Sequence, residues 1–241
     1  MDKKKFAVFD IDGTYFRFQL YWQTALALAE EGMMPPDVSK LALTLYDKWK
    51  NRTHDKAFED FDRQSVTKIN ECLHEINPSD FDRIMKKHIT SKLDHINLYP
   101  KKLKEKLQSE GYVIIAISGS RKEEVELFAK HHGFDDWIGQ EWHRSKDGKR
   151  FTGDISHTHK DKDKLLEVFV KKHNLTYTDS YAIGDSAGDI SLLEVVDNPI
   201  VFNPNHSLLD HAKERGWKIV IERKSISYTL EQGSDGTYQL A

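Results

Sequence analysis

The sequence predicts a doubly wound, Rossmann-like α/β core with a mainly parallel sheet and an all-helical cap inserted after the first strand. Three observations carry this prediction. A strand-length apolar run, Phe6-Ala7-Val8-Phe9, opens the chain and ends abruptly in Asp10-Ile11-Asp12-Gly13-Thr14. From Phe16 to about Ile96 the periodicity is helical, with no strand pattern. Beyond Leu98-Tyr99-Pro100, strand-like and helix-like segments alternate, as in a parallel sheet with crossover helices. The expected organisation is a core of residues 1–14 and 98–225, a helical cap of residues 15–97, and a C-terminal hairpin or tail of residues 226–241.

Within the insertion the apolar spacing predicts helices over Leu20–Glu31, Asp37–Lys50, Phe58–Ile76 and Phe81–Ile96, divided by Met34-Pro35-Pro36, Asn51-Arg52-Thr53 and Asn77-Pro78-Ser79-Asp80. Because it follows the acidic strand end directly, the insertion is expected to cover that end as a lid. Lys101–Glu110 reads as a helix stopped by Gly111, and Tyr112–Ile117 as a β-branched strand buried on both faces. Ser118-Gly119-Ser120 follows as a loop, then a helix over Arg121–His132 stopped by Gly133. Residues 141–145 and 151–155 flank Lys146-Asp147-Gly148-Lys149 as a hairpin. The polar stretch Ser156–Lys164 leads into a helix over Leu165–His173, and the short strand Tyr181-Ala182-Ile183 ends in Gly184-Asp185-Ser186-Ala187-Gly188-Asp189. Ile200–Phe202 and Lys218–Ile221 supply two further strands around the helix Ser207–Arg215, and Ile226–Leu240 reads as a terminal hairpin.

Composition narrows the function. Among 241 residues, 36 basic and 39 acidic side chains leave a net charge of −3, so no field of one sign recommends nucleic acid or a membrane surface as partner. A small-molecule substrate is the expectation. Cys72 is the only cysteine, which excludes an intramolecular disulfide and argues against a thiolate zinc site. It reads as a buried helix residue. Lys3-Lys4-Lys5 before an apolar run imitates a signal peptide, but Asp10 interrupts that run. With no stretch apolar for long enough to span a bilayer, a cytoplasmic protein is expected.

The chemistry lies in the strand ends. In an open parallel sheet, ligands collect beyond the carboxyl ends of the strands, where Asp10 and Asp12 stand. Ser118-Gly119-Ser120 between strand and helix is an anion-binding arrangement. Asp185 and Asp189 end a second strand, and neighbouring strands would bring them to Asp10 and Asp12. Two carboxylates about 4 Å apart repel by about 4 kcal/mol at an effective dielectric near 20, so such a cluster needs a cation or protons. Oxygen-only ligands point to Mg²⁺. His157 and His159 lack further ligands at metal spacing and read as a solvated loop.

In order along the chain, Asp10-Ile11-Asp12-Gly13-Thr14, Ser118-Gly119-Ser120, a lysine ahead of the last acidic loop, and Gly184-Asp185-Ser186-Ala187-Gly188-Asp189 resemble the four signatures of the haloacid dehalogenase superfamily of phosphatases. The insertion between the first two is similar to the cap of its phosphoserine-phosphatase-like branch, subfamily IB. The resemblance implies a Mg²⁺-dependent phosphomonoester hydrolase with Asp10 as nucleophile and Asp12 as general acid and base, its backbone carbonyl also on the metal. It further implies Ser118 and Gly119 as phosphate-binding residues, Asp185 as a direct metal ligand and Asp189 in an outer supporting role. Lys162 has the spacing of that branch's phosphate lysine, with Lys160 and Lys164 as competitors. The acidic residue with which the branch meets a serine amine falls nearest Gln19, and its cap arginine near Ser65, with Arg63 or Arg52 as substitutes. A neutral amide does not pair with an ammonium as a carboxylate does, which argues against phosphoserine itself. Competing readings are a phosphotransferase or mutase with the same nucleophile, a phospho-accepting receiver domain, and a non-catalytic phospholigand-binding module.

Overall fold

The structure, a computed structural model, describes residues 3–54, 56–158 and 161–241, and of Glu59 the backbone alone. In chain order its elements are β1 (Phe6–Phe9), α1 (Leu20–Glu30), α2 (Pro36–Lys50), α3 (Ala57–Glu71), α4 (Pro78–Thr90), α5 (Leu98–Ser109), β2 (Val113–Arg121), α6 (Lys122–His131), β3 (Asp136–Arg144), β4 (Phe151–Ser156), α7 (Lys162–Lys172), β5 (Tyr181–Gly184), α8 (Ile190–Leu193), β6 (Asn198–Phe202), α9 (His206–Arg215), β7 (Lys218–Arg223), β8 (Ile226–Gln232) and β9 (Tyr238–Leu240). They divide into two units. The first comprises Met1–Gln19, Leu93–Gly139 and His157–Ala241, the second Leu20–Lys92 and Gln140–Ser156.

The sheet of the first unit runs in the order β3-β2-β1-β5-β6-β7-β8-β9. β1 pairs in parallel with β2 on one side and β5 on the other, through Phe9↔Ala116 and Phe9↔Ile183. Strand order therefore reverses direction at β1, and the crevice beyond the carboxyl ends of β1, β2 and β5 is where such sheets bind ligands. All four side chains of β1 are fully buried, each Phe contributing about 1.5–3 kcal/mol of transfer free energy. Alternation sends them to two layers. Phe6 and Val8 pack with Leu166 and Phe169 of α7, whereas Phe9 meets the rings of Tyr15 and Phe134 edge-on at 6.0 Å. β8 and β9, the terminal hairpin, extend the far edge antiparallel to β7.

In the second unit α1–α4 are joined by the hairpin of β4 and the end of β3. Its core is aromatic: Phe61 lies 4.1 Å from Trp22 and stacks on Trp49, and Trp142 packs against Phe81 and Phe151. Arg144 of β3 clasps the Asp82 carboxylate of α4 with two hydrogen bonds of 2.8 and 2.6 Å. Cys72 is buried at the end of α3, where burial pushes its thiol up to about 11. Among the described residues no helix is long and apolar enough to cross a membrane.

Several boundaries differ from those the periodicity predicts. The helix expected over Phe81–Ile96 is α4, which starts at Pro78 behind the cap Asn77 and stops at Thr90. Ile96 pairs instead with Phe16 in an isolated antiparallel bridge, while Arg17 donates to the His95 carbonyl and Asn97 to that of Tyr15. These bonds hold residues 15–19 and 93–97 in the first unit rather than in the insertion. The hairpin of residues 140–156 joins the second unit because its Trp142 and Phe151 share the aromatic core there. Ser118-Gly119-Ser120 is not a loop: β2 stays extended through Arg121, and α6 begins one residue later than expected.

α5 has an unusual cap. Asn97 occupies its N-cap position but makes no side-chain cap hydrogen bond. The carboxylate of Glu222, on β7, accepts from the amides of Leu98 and Tyr99 at 3.0 and 2.7 Å. An anionic acceptor at two otherwise orphaned amides and at the positive end of the helix dipole supplies the cap from a distant strand. Glu222→Ala is expected to cost about 1–2 kcal/mol in urea unfolding, with Glu222→Gln, which keeps one acceptor oxygen, recovering part of the loss.

Candidate active site

The site is assembled from the carboxyl ends of β1, β2 and β5 and the first residue of α7. Asp10 extends β1 by one residue, its amide donating to the Ile183 carbonyl at 2.9 Å, and it is 4% exposed. By the alternation of β1 it faces the same layer as Phe6 and Val8, the layer of α7. Lys162 opens α7 and is also buried. Its ammonium has three protons and three acceptors: Asp10 Oδ1 and Asp189 Oδ1, both at 2.6 Å, and the Ile117 carbonyl at 3.3 Å.

After Asp10 the chain turns. The amides of Tyr15 and Phe16 donate back to the carbonyls of Asp10 and Ile11, and Gly13 takes a φ of +80°. A Cβ at Gly13 would stand 2.2 Å from Asp185 Oδ2, so only glycine lets the turn pass this carboxylate. Thr14, next in the turn, donates its hydroxyl to Asp185 Oδ1 at 3.2 Å. The Asp12 carboxylate is aimed differently, accepting a short hydrogen bond from the Ser118 hydroxyl. Ser118 is fixed in turn: Thr158 donates to its carbonyl at 2.6 Å, and its own hydroxyl accepts from the Ser120 amide. Gly119 follows it within β2.

One oxygen each of Asp10, Asp185 and Asp189 lies within 4.8 Å of the others. At that spacing each pair of carboxylates repels by roughly 3.5 kcal/mol at an effective dielectric near 20. Burial pushes the Asp10 carboxyl well above the usual range, against the pull of Lys162 and with the help of Asp189 and Asp12. Burial does the same to Asp185, reinforced by Asp10 and Asp189. Burial alone would lower Lys162, but Asp10 and Asp189 outweigh it and hold the ammonium above the usual lysine range. A single ammonium cannot balance three carboxylates, so the trio fits a hard divalent cation held by oxygen, such as Mg²⁺. Asp189 contributes from behind. Its Oδ2 accepts from the amides of Asp185 and Ser186 and from the Ser186 hydroxyl, and its Oδ1 is on Lys162, which leaves Asp10 and Asp185 to face a cation.

The structure thus brings Asp10, Lys162, Asp185 and Asp189 together, and Asp12 with Ser118. Lys164 is exposed and paired with Asp161, and Lys160 and His159 lie outside the described residues. His157 is exposed, as expected of a solvated loop. In the insertion, Ser65 is buried, Arg52 is exposed, and Arg63 is exposed and paired with Asp60. Sequence reasoning passed over Thr158, Asn97 and the hydroxyl of Ser186. Thr158 and Asn97 carry no local pattern that marks them, whereas Ser186 at three residues before Asp189 has the spacing of a capping box.

Comparison with known proteins bears on the family and the fold. The sequence profile of the haloacid dehalogenase-like hydrolase family matches residues 7–194. A histidinol-phosphatase of Neisseria meningitidis serogroup C (strain 8013) is 27% identical over 134 residues, covering 53% of this chain and 60% of that protein; the match thus spans less than two thirds of the relative. A protein of unknown function from Bordetella pertussis Tohama I superposes with a TM-score of 0.71 at 20% identity over 92% of this chain and 99% of its own. A phospho-aspartyl intermediate analogue of phosphoserine phosphatase superposes with a TM-score of 0.63 at 22% identity over 92% and 95% of the two chains.

A carboxyl whose pKa is raised by folding binds more protons in the native than in the unfolded state. Its contribution to stability therefore falls as pH rises through the native pKa. Thermal melts of the metal-free protein between pH 5 and 8 are expected to lose stability towards alkaline pH, with a smaller slope in Asp185→Asn and in wild type with millimolar Mg²⁺. Identical slopes in all three would refute this account of the charge balance.

Proposed function

The chain belongs to the haloacid dehalogenase-like hydrolase family, and from that premise we propose that it is a Mg²⁺-dependent hydrolase of small phosphomonoesters, working through an aspartyl-phosphate. The observation that carries this reading is the buried Lys162 ammonium bridging Asp10 and Asp189 beside Asp185, with the Asp12 carboxylate on the Ser118 hydroxyl.

In this reading Asp10 is the nucleophile. An oxygen of its carboxylate attacks phosphorus, the bond from phosphorus to the ester oxygen breaks, and Asp12 gives the departing alkoxide its proton. The deprotonated Asp12 then takes a proton from water, whose oxygen attacks the aspartyl-phosphate. The bond between phosphorus and Asp10 breaks, releasing inorganic phosphate and restoring both carboxyl groups. Asp10, Asp185 and the Asp12 carbonyl would hold Mg²⁺, which supplies positive charge to the phosphoryl oxygens when bound. Ser118, the Gly119 amide and Lys162 bind the phosphoryl oxygens, and Lys162 offsets charge between phosphate and nucleophile. Asp189 keeps Lys162 and the residue 185–186 backbone in place. Proton transfer by a positioned group such as Asp12 is worth about 10²–10⁴ in rate.

The substrate class proposed is a small phosphorylated alcohol. Phosphoserine phosphatase and histidinol-phosphatase among the relatives suggest a phosphorylated small alcohol. Gln19, half-buried, offers no charge to an ammonium group. Inorganic phosphate released from a panel that includes phosphoserine, histidinol phosphate and sugar phosphates tests the reading, with and without a chelator. Release is expected from at least one monoester, to stop on chelation, and to fall by at least about 10³-fold in Asp10→Asn, with circular dichroism expected to show the wild-type fold. Transfer within a sugar phosphate without phosphate release would make the protein a mutase instead.

A further inference from the structure

Asn97 stands where a helix cap is expected and is used for something else. Asn is among the best N-cap residues because its side-chain oxygen accepts from the first free amides of a helix. Here Glu222 takes that work on α5, and the Asn97 side chain, nearly buried, turns away from the helix. Its Nδ2 donates to the Thr14 carbonyl at 2.7 Å and to the Gly13 carbonyl at 3.3 Å, while its backbone amide donates to the Tyr15 carbonyl at 3.0 Å. Both side-chain partners are acceptors, so the amino group and not the oxygen must face them. One residue thus holds three consecutive carbonyls of the turn that follows Asp12.

That turn is where two roles of the proposed reaction are set. Asp12 precedes Gly13 directly, and Thr14 carries the hydroxyl that donates to Asp185. We propose that Asn97 is a positioning residue for catalysis, its side-chain amide fixing the 13–15 backbone and through it the placement of Asp12 and of the Thr14 hydroxyl on Asp185. The proposal rests on the phosphatase reading above. It predicts a loss confined to the chemical step. Ser118, Gly119 and Lys162, which hold the phosphoryl group in that reading, come from β2 and α7, and Asn97 bonds to neither. A displaced acid costs rate, since an error of about 1 Å in a reacting group can cost about 10²-fold. Retained phosphate contacts keep substrate binding.

The test compares Asn97→Ala and the near-isosteric Asn97→Asp, which cannot donate, with Gly216→Ala. Gly216 ends α9 at a φ of +67°, just before β7 begins and so at the opposite end of the sheet, where a Cβ would stand 2.7 Å from Gln232 Oε1. That variant destabilises the fold without touching the turn. Two readouts are taken on each protein: kcat and KM on the best monoester found, and amide hydrogen exchange by mass spectrometry of the peptide covering residues 11–18. In the Asn97 variants kcat is expected to fall by about tenfold to a hundredfold with KM within about threefold, and the peptide to exchange faster. In Gly216→Ala both readouts stay at wild type. Unchanged exchange in the Asn97 variants, or faster exchange with wild-type kcat, would overturn the proposal. So would an equal fall of kcat in Gly216→Ala, which would reduce Asn97 to a stability effect. A wild type that releases no phosphate from any monoester would instead overturn the phosphatase reading, on which this one rests.

Discussion

The buried ammonium of Lys162 is the interaction on which the rest of the site depends. Desolvating a lysine or a carboxylate alone costs several kcal/mol, and only mutual pairing with full hydrogen bonding offsets it. Lys162 meets that condition, with all three protons placed on Asp10, Asp189 and the Ile117 carbonyl. These acceptors belong to the end of β1, the middle of β2 and the segment after β5, so one charge ties together strands that a parallel order of β2, β1 and β5 sets side by side. Removing it would leave buried carboxylates facing one another, the situation in which broken pairs typically cost about 3–5 kcal/mol.

Close approach is the second constraint, and glycines meet it. A side chain at Gly13 would collide with Asp185, and one at Gly184 would stand 2.5 Å from both Cβ and Cγ of Asp189. At Gly13 the left-handed backbone demands glycine as well. At Gly184 the demand is space alone, because its neighbour's carboxylate must lie against the strand to reach the amides of Asp185 and Ser186. Both acids thus pack against bare backbone, Asp189 accepting from two amides and Asp185 from the Thr14 hydroxyl.

Much of this was legible in the chain itself. Strands buried on both faces, such as Phe6–Phe9 and Ile114–Ile117, read as unbroken apolar runs, and their acidic or hydroxylated ends read as a ligand crevice by the geometry of parallel sheets. Spacing favours Lys162 over Lys164 in the sequence, and burial separates them in the structure, where Lys162 is buried and Lys164 exposed although both lie in one polar stretch. The end of β2 was misread because Ser and Gly are ordinary loop formers; here a hydroxyl satisfies the Ser120 amide and the Arg121–Glu124 pair, fully buried at 2.6 Å, anchors the strand end. Partners joined by long-range hydrogen bonds, such as Thr158 to Ser118 or Asn97 to Thr14, were not legible at all. Nothing in local spacing encodes them; they follow from where the sheet returns the chain.

The Asp12 carboxylate has a partner that the other acids of the site do not share, the Ser118 hydroxyl. Once ionised, Asp10, Asp185 and Asp189 would set three negative charges against the one positive charge of Lys162, a deficit that a divalent cation would close. In the proposed reaction Asp12 gains and loses a proton, and its charge is felt at Asp10, whose carboxyl it helps to raise. The Asp12 carboxylate accepts from the neutral Ser118 hydroxyl. There a change in protonation exchanges one hydrogen-bond pattern with Ser118 for another, since a hydroxyl can donate to a carboxylate or accept from a carboxylic acid. The backbone turn through Gly13 accompanies this, giving two acids two residues apart different partners, Lys162 and Ser118.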